Sequence, residues 1–245
     1  MQPFSCYNIS MSFYISLGVV LLAVLIMAFL QLQPGAFSLL CHYCKGKYSK
    51  ARTSDMTLFF ILGVEVSSAC LFLCSYCFTN IFFLYCFRPE DSFWAWIATG
   101  IIVALAFVSL FGYYRPGRGT KLFISRKYAK ALDTRARTAK SRSDAFALGA
   151  FSGMAELVFT LPLYILTSVE IMEMSVMFTP SYFFTILYIL APTIPLFMLR
   201  WTFKSGRNLA EIQRLRVRDK NFTRFILFIS YLTIAALMII FRIAK

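Results

Sequence analysis

Two carboxylates stand where an apolar chain has least use for them. Glu65 lies ten residues after Asp55 within one long apolar run, and Glu156 lies twelve after Asp144 within another. At ~1.5 Å per helical residue these offsets place both groups ~15–18 Å from the charged start of their helices, near the middle of a ~30 Å hydrocarbon layer. An ionised carboxylate facing lipid at that depth costs at least about 2.5–3.5 kcal/mol. Protonation lowers the penalty because desolvation disfavours the charged form, and two carboxyls sharing one cavity would reinforce that effect. No Lys or Arg occurs at matching depth in any apolar run. The expected counter-charge is a proton, a bound cation or a cationic solute.

Helix breakers accompany the carboxylates. Pro34-Gly35, Pro162, and the pair Pro192 and Pro195 interrupt three different apolar runs. A proline removes a backbone donor and displaces the preceding turn. At bilayer depth the freed carbonyls and amides can hold ions and solutes in transport proteins. Gly63, Ser67, Ser68, Ser152 and Gly153 lie close to the two glutamates in sequence. Small residues of this kind suit close helix packing, and their hydroxyls can also line a site. All seven cysteines fall in the first 86 residues, and Cys41-His42-Tyr43-Cys44 has the two-residue spacing of a redox dithiol or half a zinc site. His42 is the sole histidine, so the ligands for a metal are lacking.

The elements that must position these residues are membrane helices. The 245 residues are 59% hydrophobic and only 15% charged, against about a quarter charged in a soluble domain. Six apolar runs of spanning length read as transmembrane helices: Phe13 to Leu40, Met56 to Phe78 with an extension to Cys86, Phe93 to Tyr113, 144–169, Tyr182 to Trp201, and Phe222 to Phe241. Trp94 and Trp96 open the third run, where amphipathic rings anchor at the headgroup level. Glu170 and Glu173 read as a short acidic connection after the fourth run. The N-terminus has no basic segment before its apolar run, which therefore reads as a retained helix rather than a cleaved leader. The expected fold is an all-α, single-domain, multi-pass membrane protein of six helices.

Charge orients it. The net charge of +14 resides in three loops, 45–55, 115–143 and 204–220, which with their edges hold 22 of the 25 Lys and Arg residues. That asymmetry is the positive-inside pattern: the basic loops face the cytoplasm and both termini face away. The charge is thus explained by orientation and by anionic lipid at the loops, and no soluble basic module points to nucleic acid. Within the long loop, Phe123 or Ile124, Tyr128, Leu132 and Ala136 recur at helical spacing among Arg and Lys. The pattern predicts a basic amphipathic helix lying in the interface. Leu209, Ile212 and Leu215 repeat it in the last loop. The segment Arg115 to Lys121, RPGRGTK, lacks the phosphate-loop gap and reads as a turn. No zincin motif, nucleophile elbow or triad histidine is present, so no enzyme and no cofactor are expected.

Pro34-Gly35 in the first run, the basic loop after it (LQPGAFSLLCHYCKGKYSKA), and Phe146 to Gly149 at the start of the fourth run resemble the lysine-exporter superfamily. That group joins amino-acid and metal exporters with cytochrome-biogenesis thiol transporters. The resemblance implies a 3+3 inverted repeat that pairs the first run with the fourth, and the export of a small solute. This chain departs from the family at Ala36, where a second proline is usual. It also lacks Asn-Pro-Lys in the fourth run, and any cysteine after Cys86. The expectation is a secondary transporter in the plasma (inner) membrane that exports a small or cationic solute. Its site would draw on Glu65, Glu156, Ser152, Pro34, Gly35 and Pro162. The alternatives are a thiol-redox conduit through Cys41 and Cys44, and a non-catalytic scaffold or insertion factor that docks partners on its basic loops. Expected partners are the bilayer, anionic lipid, the solute and, in an oligomer, a second copy of the chain.

Overall fold

The computed structural model describes residues 4–31, 49–85, 92–111, 126–154, 157–177, 181–204 and 220–240, and every regular element among them is helical. In chain order these are α1 (Phe4–Gln31), α2 (Lys50–Tyr85), α3 (Ser92–Phe111), α4 (Arg126–Thr138), α5 (Arg142–Met154) and α6 (Leu157–Met177). Then come α7 (Ser181–Leu190), a 3-10 turn (Ala191–Thr193), α8 (Ile194–Lys204) and α9 (Lys220–Met238). Pro34, Gly35, Cys41, Cys44 and most of the 204–220 loop lie outside the described residues.

Three stretches are long and apolar enough to cross a membrane: Ala51–Phe82, Phe93–Phe111, and Tyr182–Trp201, which takes in α7, the turn and α8. α5 and α6 count together as a fourth, although their axes are inclined at 77°. Phe13–Ala28 and Phe225–Met238 are apolar but shorter. Phe78, Phe93, Trp96, Phe111, Tyr182, Met198, Trp201 and Phe225 are each more than half exposed. In water so much exposed apolar surface would drive association, whereas lipid is its natural solvent. The chain is an integral membrane protein.

α6 is the central helix. It packs against α1, α2, α3 and α7, and Leu163, Tyr164, Leu166, Thr167, Ser168, Val169, Glu170 and Ile171 are all buried along it. Around it, Val20, Ala23 and Met27 of α1, Phe72 of α2, Ile102 of α3, Tyr188 of α7 and Tyr231 of α9 form the larger core.

α2 and α5 make the tightest contact. A Cβ added to Gly63 would collide with the carbonyl oxygen of Phe146 and lie 2.9 Å from the amide nitrogen of Ala150. One added to Gly149 would collide with the carbonyl of Phe60, and one added to Gly153 with the hydroxyl of Ser67. On α2 the participants Phe60, Gly63 and Ser67 follow i, i+3, i+7 spacing, and on α5 Phe146, Gly149 and Gly153 do the same. Two small-xxx-small faces, Gly63 with Ser67 and Gly149 with Gly153, thus meet backbone to backbone. This is how membrane helices associate when neither gains from excluding water.

Four expectations are revised. The fourth run is described as two helices, α5 and α6, inclined at 77°, with residues 155 and 156 between them outside the described residues, and Pro162 sits inside continuous α6. Pro162 is the sixth residue of α6 and forgoes the bond to the Val158 carbonyl, yet the helix runs on through it. α6 also runs on to Met177, so Glu170 and Glu173 are helical rather than a connection, and Glu170 is fully buried. The first basic loop ends at Lys50, where α2 begins and continues through the expected extension to Tyr85. Finally, the amphipathic helix forms as α4, but its apolar face is covered by protein. Leu132, Ala136 and the following Ala139 pack with Met56, Phe60, Ala145, Leu148 and Leu196 in a second core. Tyr128 donates a hydrogen bond to the carbonyl of Phe151, and the Arg135 guanidinium lies 3.9 Å from the Phe151 ring centroid. Only the charged face of α4 remains outward.

Candidate functional site

Glu65 sits near the middle of α2, about 21 Å from Ala51 at helical rise. It is two residues, or about 200° of helix, from both Gly63 and Ser67. The carboxylate therefore faces away from α5, and away from Ser152, which lies half-buried beside Gly153 on that helix. It faces instead the 3-10 turn between α7 and α8, where Thr193 is its interacting side chain.

That turn is built by two prolines. Pro192 and Pro195 offer no amide hydrogen, so the α pattern cannot run through Ala191–Thr193. The backbone compensates locally. The amide of Ile194 donates to the carbonyl of Ala191, a 3-10 bond, instead of reaching back to Leu190. The Leu190 carbonyl, which the 3-10 pattern gives to the Thr193 amide, also accepts the hydroxyl of Thr193 at 2.8 Å. Pro192 and Thr193 are both buried. A fifth apolar run interrupted by Pro192 and Pro195, as the sequence predicts, is what the structure contains.

The consequence for Glu65 is chemical. A threonine hydroxyl has one rotatable hydrogen, which Thr193 places on the Leu190 carbonyl at 2.8 Å or turns toward Glu65. Both carboxyl oxygens are buried and neither has a hydrogen-bond partner among the described residues. While that hydrogen rests on Leu190, a bare carboxylate here gains little for its lost hydration. Two species resolve the mismatch. A protonated carboxyl can donate its hydrogen to Thr193 Oγ1, and a cation can be shared between the carboxylate and that oxygen.

The polar interior continues along the same face of α2. Ser68 and Phe72 follow Glu65 by one and two turns, and both are buried. The Phe72 ring meets Tyr188 at 4.8 Å and Tyr164 at 6.0 Å between centroids. The Tyr188 hydroxyl faces Thr167 across this cluster, and the hydroxyls of Tyr188 and Thr167 are buried without a hydrogen bond among the described residues.

Of the residues expected at a site, Glu65 is placed against a helix break, though the break is that of Pro192 rather than Pro34 or Pro162. Pro162 is half-buried within α6, and Ser152 belongs to the α2–α5 contact. Glu156, Pro34 and Gly35 lie outside the described residues, as do Cys41 and Cys44 of the dithiol alternative. Cys70, Cys74 and Cys77 are free and exposed along one face of α2. Two residues escape sequence reasoning. Thr193 is an ordinary threonine until the prolines around it are read as a backbone break. Glu170 looks like a loop residue because Glu173 follows it, yet the apolar stretch beyond both carries the helix on. Compared with known proteins, the chain matches no family model, no curated protein and no solved structure.

Proposed function

We propose that this chain is a secondary transporter in which Glu65 binds the coupling proton or a cation. The single observation that carries the reading is a carboxyl whose two oxygens are buried, faced by one threonine hydroxyl at a broken helix. A packing carboxyl would be expected to find a donor, whereas a binding group awaits its ligand. Discontinuous helices at mid-membrane are where such sites are built in transporters. The solute is small or cationic and the direction is export, on the resemblance to lysine exporters. Glu156, two residues after the end of α5, is the second carboxyl in this scheme.

The accompanying topology has six spans, with the shorter apolar helices Phe13–Ala28 and Phe225–Met238 as first and last. The basic loops face the cytoplasm and both termini lie outside. A 3+3 division would let one half rock against the other around Glu65 and the Pro192 turn.

The test is transport in proteoliposomes carrying a trapped pH indicator, with a panel of cationic amino acids and amines added outside. Wild type is expected to move protons when its solute is added, and Glu65→Gln is expected to abolish that movement while remaining monodisperse and helical. Proton movement unchanged in the variant overturns the assignment of Glu65.

A further inference from the structure

Far from Glu65, at the end of the bundle where the basic loops converge, an open cleft of about 410 Å³ lies between the starts of α2 and α5. Three cations line it, Arg52, Lys140 and Arg142, against one carboxylate, Asp55. Its volume falls within the ~300–1,000 Å³ of small-ligand sites. The wall is held rigidly. Arg142 pairs with Asp55, its guanidinium stands 5.6 Å from the Phe59 ring centroid, and Arg52 donates to the carbonyl of Lys140 at 2.8 Å. Asp144 accepts the amides of Lys140 and Ser141 at 3.0 and 2.9 Å. The α5 terminus is therefore already capped, and attraction for a ligand comes from the side chains. The Lys140 ammonium is exposed, feels the nearby Asp144 carboxylate, and makes no side-chain hydrogen bond among the described residues, so it is the donor left to meet a ligand.

We propose that this cleft binds a phosphate-bearing anion, either the headgroup of an anionic phospholipid or free phosphate. Arg52 and Arg142 are fixed in place by their own bonds and supply positive potential, while Lys140 closes on the phosphate oxygens. Met56 and Ala51 add apolar wall beside the charges, as a glycerol backbone leaving the phosphate would require. The cleft also joins α2 to α5 at the mouth of their tightest contact, so a bound anion would brace that pair. The site is independent of the transport reading.

The experiment uses delipidated full-length protein in neutral detergent, with thermal unfolding followed by tryptophan fluorescence. Short-chain phosphatidylglycerol, phosphatidylcholine of the same chain length, and inorganic phosphate at matched ionic strength are titrated separately. Phosphatidylglycerol is expected to raise the midpoint saturably and phosphatidylcholine to leave it unmoved. Lys140→Gln should weaken the apparent affinity about fivefold, the effect of one basic residue at a membrane surface, and Lys130→Gln, an exposed residue of α4, should not. If inorganic phosphate protects as well as the lipid, and Lys140→Gln weakens it, the site stands and its ligand is the soluble anion. Equal weakening by both variants reduces the effect to diffuse surface charge and overturns the site. Protection by phosphatidylcholine, or by none of the three, overturns it as well.

Discussion

At the residue scale, the interaction that distinguishes this chain is between Glu65 and Thr193, and its meaning depends on one hydrogen. Because the Thr193 hydroxyl donates to Leu190, its oxygen can accept from a protonated carboxyl or join a cation's ligands, and it donates to a bare carboxylate only by giving up that bond. Substitutions at 193 separate this chemistry from plain packing. Thr193→Ser keeps both the bond to Leu190 and the acceptor, and is expected to transport with near-wild-type pH dependence. Thr193→Val keeps the shape but removes the hydroxyl's bond to the Leu190 carbonyl, at about 0.5–1.5 kcal/mol, and also removes the acceptor. It should lower the thermal midpoint and weaken apparent proton or cation affinity about tenfold, read from the concentration dependence of transport. A Val variant that loses stability but keeps its affinity would make Thr193 a backbone support with no part in binding. Glu65 was legible from its position in an apolar run, since a carboxylate there needs a reason. Thr193 was not, because its role arises from how two prolines redistribute backbone bonds in space.

At the element scale, the chain reads best where a property belongs to a helix as a whole. Apolar length announces α2, α3 and the α7–α8 stretch, and the small residues near the glutamates announce a close helix contact, which the structure assigns to Gly63, Gly149, Gly153 and Ser67. What a hydropathy window cannot see is direction. It sums apolar character around the helix and so does not distinguish a lipid-facing side from a protein-facing one. For that reason the apolar stripe of α4 reads equally well as lipid-facing, although Leu132 and Ala136 are buried on protein. For the same reason the 77° change of direction between α5 and α6 hides within a continuous apolar run, while Pro162 invites a break it does not cause. The glycines give a direct check. A Cβ at Gly63 or Gly149 meets backbone atoms of the facing helix, which cannot move aside without separating α2 from α5. Gly149→Ala is expected to destabilise the protein by about 1–3 kcal/mol, seen as a lower thermal midpoint and faster proteolysis between α4 and α5. Gly18 and Gly100 have no atom within 4 Å of the same position. Alanine there should be neutral or stabilising by up to about 1 kcal/mol. Equal effects at all four positions would mean that the backbone contact does not hold the pair together.

At the scale of the molecule, the two ends of the bundle are chemically unlike, and this asymmetry carries the topology. Residues from all three basic segments meet at one end. Arg52, Ser54 and Asp55 belong to the first, Lys140 and Arg142 to the second, and Arg200, which donates to Ser54 at 3.2 Å, to the edge of the third. Each of these segments lies in a different part of the sequence, yet the helices between them return the chain to the same end. That is what an even number of crossings between successive basic segments requires. α2 and α3 supply one such pair, and α6 with the α7–α8 stretch supplies another. The 77° inclination between α5 and α6 does not disturb the count. α5 descends alongside α2 as far as the Gly153–Ser67 contact, so α5 and α6, taken as one bent span, make a single crossing. In the proposed orientation, the positive-inside bias would put that end in the cytoplasm. Single cysteines introduced into a cysteine-free chain test this directly with a membrane-impermeant maleimide applied to intact cells. Positions in 86–91 and 178–180, together with both termini, should label from outside; positions in 115–125 and 205–219 should label only after permeabilisation. Outside labelling at the basic loops would reverse the orientation. Termini that label only after permeabilisation would remove the first and last crossings, leaving a four-span bundle in which α1 and α9 lie along the membrane surface.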